Sequence, residues 1–165
     1  MSAQEQIRQL QAELEADFQF IQENARKNRE MTGRIDRNPD ADEYDYAALG
    51  YTLHNLYNAF EAYFLRVAKF FENNLDEVGW HKSLVDRMTL EIQGVRQSLF
   101  DRQFAVRVDE LLRFRHAFRN LYKAPLVPQK VRFANQVASR IDSDFEQYHQ
   151  GFVRFLEDLI LNTLD

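Results

Sequence analysis

The chain has 165 residues, a net charge of −5, 45% hydrophobic residues and 13% aromatic residues. That balance excludes a disordered chain and fits a single domain over 1–165, long enough to bury a core. With no cysteine, disulfides, thiolate metal ligands and thiol nucleophiles are excluded, which fits a cytoplasmic protein. Residues 1–17 are polar and acidic, unlike a secretory signal, and charges interrupt every apolar stretch, so no membrane span is expected.

Five glycines and three prolines punctuate the sequence, and their scarcity predicts long helices. Over 3–29, Ile7, Leu10, Leu14, Phe18 and Ile21 recur at three and four, the mark of an amphipathic helix. A polar loop is expected over 32–39, and Asp40, Asp42, Glu43 and Asp45 then place negative charge at the start of a second helix. That helix, about 44–74, carries Leu49, Leu53, Leu56, Phe60, Phe64, Val67 and Phe71. Tyr46, Tyr57, Tyr63 and Phe70 widen its stripe, so it should be central. A short helix follows over 80–88, and 94–99 reads as a short helical turn. The stretch 100–122 reads as helical until Pro125 and Pro128 break it. A last helix is expected over 129–164, with a seam from Val131, Ala134, Val137 and Ile141 to Phe145, Phe152, Phe155, Leu156, Leu159 and Ile160. No alternating strand pattern appears, so the expected fold is all-α: an up-down bundle of four main helices plus a short one.

The richest chemistry lies in 112–122, Leu-Arg-Phe-Arg-His-Ala-Phe-Arg-Asn-Leu-Tyr. Helical spacing puts Arg115, Arg119 and Tyr122 along one side, with His116 and Asn120 beside them, while Leu111, Leu112, Phe114 and Phe118 supply apolar contacts. Residues 111–140 hold seven Lys/Arg (Arg113, Arg115, Arg119, Lys123, Lys130, Arg132 and Arg140) and no acid, leaving 14 Lys/Arg against 26 Asp/Glu elsewhere. A basic strip in an acidic chain is either a local anion site or a set of arginines paired with acids from other helices.

Other chemistries lack their residues. The histidines His54, His81, His116 and His149 form no metal-ligand spacing, so no metal and no cofactor are expected. No glycine loop for phosphates is present, and no short recognition helix follows a glycine-containing turn. His54, Asn58 and Glu61 share one face of the second helix. Glu61 either meets the 113–119 arginines or sits on a solvent edge. His81, next to Trp80, is either a packed structural residue or part of the same cleft.

The run Phe114-Arg115-His116-Ala117-Phe118-Arg119-Asn120-Leu121-Tyr122 resembles the signature of HEPN-domain proteins, in particular the HepT-like branch. Those signatures have an Arg followed by a polar residue, a short gap, a His, and often a Tyr two residues later. The runs 53–61 and 80–88 resemble the same branch, so the resemblance spans about 44–130. It implies a homodimeric helical bundle with Arg and His of both chains lining one cleft. It also implies a metal-independent endoribonuclease acting as a toxin, beside a nucleotidyltransferase antitoxin that can adenylylate the motif tyrosine. Carried over, Arg115, His116, Arg119 and Asn120 are the candidate catalytic residues. Arg113, Arg115, Arg119 and Lys123 are the candidate RNA-binding residues, and Tyr122 is the modifiable tyrosine. His54, Glu61 and His81 would support the cleft. Asn120 stands where active nucleases of the family have His, and an amide cannot exchange protons near neutral pH as imidazole does. The alternatives are a HEPN module that binds RNA, a nucleotide or its antitoxin without cleaving, and a purely structural helical dimer.

Overall fold

Each early helix begins where a side-chain oxygen meets its free amides. A computed structural model describes residues 1–72, 80–121 and 123–163, and only the backbone of 80–83. The first helix, α1 (Ala3–Asp36), is opened by a reciprocal Ser2–Glu5 capping box, and α2 (Glu43–Phe71) by the same device between Asp42 and Asp45. The short α3 (Trp80–Met88) follows, and Asp101 then accepts from the Phe104 amide to start α4 (Arg102–Arg119). Pro128, at the first position of α5 (Pro128–Val137), gives up no hydrogen bond, and α6 (Ile141–Asn162) closes the bundle. Among the described residues there is no strand, and no helix is long and apolar enough to cross a membrane.

The aromatic stripe of α2 is the axis. Phe60, Tyr63, Phe64 and Val67 are fully buried, and Phe60, Tyr63 and Phe64 all meet the ring of Phe145 from α6. Each such ring taken out of water contributes about 1.5–3 kcal/mol. The helix α1 runs antiparallel to α2, tied at one end by Arg66 to Asp17 (2.6 Å) and Glu13 (2.9 Å), and farther along by Asn28 to Thr52 (3.0 Å). It is also held against α6, where His149 spans Tyr63 (2.9 Å) and Glu15 (2.8 Å).

The bundle departs from the sequence expectation in four places. The expected polar loop at 32–39 is helix as far as Asp36, because buried Ile35 anchors the last turn and the Thr32 hydroxyl donates to the Asn28 carbonyl. Residues 92–96 form a tight turn closed between Ile92 and Arg96, not a helical turn; Gly94 takes φ 76°, which a side chain would disfavour. The helix expected to continue to Tyr122 stops at Arg119, capped by Asn120. The single helix expected over 129–164 is two, so the four long helices and short α3 are joined by a second short helix, α5. Neither glycine nor proline makes that break. Arg107 of α4 donates to the Val137 carbonyl (3.2 and 3.3 Å) and the Ser139 carbonyl (2.8 Å) and pairs with Asp144 (2.7 Å). It thereby takes up the carbonyls freed where Arg140 turns to φ 58°.

Candidate functional site

The last two turns of α4 reach α2 at a glycine. A methyl placed on Gly50 would stand 2.8 Å from one carbon of the Phe118 ring and 3.3 Å from Phe114. The missing side chain admits both rings, which stack on each other at 5.8 Å, and this sets the depth at which Arg115 enters.

Arg115 is 3% exposed and points inward. Its Nη1 donates to Asn58 Oδ1 and forms an ion pair with Glu61 Oε1, each at 3.0 Å, and its guanidinium lies 4.4 Å from the centre of the Tyr57 ring. Glu61 therefore faces the arginine cluster and not solvent. A buried guanidinium needs such a carboxylate, and the aromatic face adds to the attraction. Burial first, and then the Glu61 charge, push the Tyr57 hydroxyl well above the usual tyrosine range, so it stays neutral.

His54 sits one turn before Asn58. Its ring centre is 5.9 Å from that of Phe118, and its Nε2 is 3.3 Å from the Asn58 amide nitrogen. Burial, then the charges of Arg119 and Arg115, hold its imidazole below the usual histidine value, so it is neutral at pH 7. His54 Nδ1, the Tyr57 hydroxyl, Glu61 Oε2 and Arg115 Nε are all buried without a hydrogen-bond partner among the described residues. Such under-satisfied buried groups concentrate where structure serves function rather than stability.

The sequence-predicted residues thus separate into two sets. Arg115, Glu61 and His54 converge with Asn58 and Tyr57 at the α2–α4 seam. Arg119, His116 and Asn120 lie exposed at the end of α4. Arg119 has no carboxylate partner among the described residues, and Asn120 donates its amide to the His116 carbonyl (2.8 Å) as a helix cap. Arg113 is exposed and pairs with Glu110 (2.9 Å); Lys123 is exposed beyond the cap. Tyr122 lies outside the described residues, as does the side chain of His81. The basic strip is likewise divided, with Arg132 bonded to the Tyr46 hydroxyl on the α5 side. Sequence reasoning counted Tyr57 as core and passed over Gly50. A glycine inside an otherwise strongly helical apolar stripe was the available signal for a close helix approach.

A family model described as HepT-like protein matches residues 48–156, from the first turns of α2 through most of α6, and takes in every described residue of the seam. No curated protein and no solved structure matches the chain. The match covers well over half the chain, and the all-α bundle agrees with it: this chain belongs to the HepT-like family of HEPN-type proteins.

Proposed function

We propose that the protein acts on RNA as the HepT-like member of a toxin–antitoxin or defence pair, working as a homodimer and cleaving without a metal. The observation that carries this reading is an exposed Arg119, within the run 114–122 that resembles the family's signature and with no carboxylate partner among the described residues, whose charge helps hold the half-buried His54 imidazole of α2 neutral. A guanidinium at the mouth of the seam suits a phosphate. Charge stabilisation of a phosphoryl transition state needs such a fixed cation. Arg115, neutralised by Glu61, acts here as the pin of the seam, with Arg119, Arg113 and Lys123 as the outward cations. Tyr122, two residues past Asn120, remains the tyrosine that a nucleotidyltransferase antitoxin would modify.

The exposed Asn120 cap in place of a motif His favours a second reading, a module that binds RNA or its antitoxin without cutting. Purified protein incubated with single-stranded RNA in EDTA separates the two: cleavage supports the first, binding alone the second. In either case the affinity should fall with salt, and Arg119→Ala should reduce the salt slope by about 0.7 for one lost phosphate contact on a single strand. Affinity indifferent to salt and to Arg119→Ala rejects both.

A further inference from the structure

We infer that His54, and not the motif-adjacent His116, is the proton acceptor in this chain's reaction on RNA, held in the required tautomer by Arg115 acting through Asn58. This rests on the RNA-cleaving reading above.

Hydrogen-bond donors and acceptors fix the tautomer. A guanidinium has five N–H donors and no acceptor, so the atom of the Asn58 amide that it meets at 3.0 Å is the oxygen. The other end of that amide is then the NH2 group, and it faces His54 Nε2 at 3.3 Å as a donor. Nε2 must therefore present its lone pair, and the proton of the neutral ring sits on Nδ1. Nδ1 is buried and has no partner among the described residues, so none of their acceptors draws the ring toward its charged form. The charged groups acting on the ring are Arg119 and Arg115 of α4; its own helix offers Glu61, which Arg115 occupies. Both arginines disfavour the imidazolium, which keeps the base in its working form at neutral pH.

Neither His149 nor His116 has this arrangement. His149 has both nitrogens engaged, by Tyr63 and Glu15, beneath the stacked ring of Phe18 at 4.4 Å, which is a structural role. His116 is exposed, and its side chain has no hydrogen bond or ion pair among the described residues to fix a tautomer.

The 3.3 Å bond from Asn58 is long, and a ribose 2′-hydroxyl can take its place at Nε2. The step then balances. The 2′-hydroxyl proton passes to Nε2 and the 2′-oxygen attacks the adjacent phosphorus. The bond from phosphorus to the 5′-oxygen breaks, and that oxygen takes a proton from water. The protonated imidazole returns its proton to solvent, leaving a 2′,3′-cyclic phosphate and a 5′-hydroxyl end. Arg119 faces the charge on the non-bridging oxygens. His54 is the catalytic residue in this scheme, and Asn58 and Arg115 are positioning residues.

The test uses the full chain and a mixed-sequence single-stranded RNA oligonucleotide. His54→Gln should lower kcat by about a hundred- to ten-thousand-fold while Kd for the RNA changes by no more than a few-fold. Asn58→Asp places a carboxylate beside the ring, so the rising limb of the pH–rate profile should move to higher pH, which a merely structural role would not produce. Long-range proton–nitrogen NMR of the histidine rings gives a readout independent of cleavage: at pH 7, His54 should be neutral with its proton on Nδ1. A proton on Nε2, or cleavage that survives His54→Gln and is lost in His116→Gln, overturns the assignment. Wild-type protein that binds the RNA without cutting it overturns the assignment while leaving the RNA-binding reading standing; no binding removes both.

Discussion

The Arg115 guanidinium and the Glu61 carboxylate meet at 3.0 Å across the α2–α4 seam, with 4% and 17% of their side chains exposed. A pair this deep is costly to break from one side, because the survivor is left charged and unpaired. Arg115→Met or Glu61→Leu alone should lower the unfolding free energy by about 3–5 kcal/mol. The double variant should recover much of that loss, since apolar replacement of both partners removes the orphaned charge. Chemical denaturation of the three variants checks this; single-variant losses below about 1 kcal/mol would show the pair to be no more than a surface contact.

Gly50→Ala pits helix propensity against packing. Alanine gains about 0.5–1 kcal/mol of intrinsic helix stability over glycine, yet its methyl would stand 2.8 Å from the Phe118 ring. Overpacking typically costs about 1–3 kcal/mol, so a net loss is expected, together with displacement of Phe118 from the His54 ring. A melting temperature that rises in the variant would mean that α4 is free to shift away from α2.

Stability should depend on His54 in acid. Its folded-state value lies below the ordinary 6.5, owing to burial and then to Arg119 and Arg115, so the fold favours the neutral ring. That contribution is fully present above pH 6.5 and is lost as pH falls from there toward the depressed folded-state value. Wild type should therefore lose more stability between pH 7 and pH 5.5 than His54→Gln does, because the variant has nothing to protonate at that position. Parallel curves for the two proteins would place the ring in water.

Asn120→His should raise cleavage. It puts a titratable group at the exposed motif position, at the cost of the cap to the His116 carbonyl, which is worth about 1 kcal/mol at most. A gain of up to about a hundred-fold in kcat/KM is expected for an added acid–base group. No gain in a variant shown to be folded would mean that the end of α4 does not face the scissile phosphate.

The periodic part of the fold is legible in the chain alone. The stripes of α1, α2 and α6 specify helices and their buried faces, and Leu10, Leu14, Leu53, Phe60, Phe145 and Phe152 are all in the core. The family resemblance carried by 114–122 was legible for the same reason, since it lies in contiguous residues. Where the polar groups go is set by packing between helices. Arg115 and Arg119 are four apart and look equivalent in the sequence, but Glu61 and Asn58 take one inward while the other reaches solvent. The break at 138–140 depends on Arg107 from a different helix, and the tautomer of His54 on an amide oriented by an arginine 57 residues from it. Periodicity reports local burial. Hydrogen bonds between residues far apart in the chain leave no period to read, so the site had to be built from its partners.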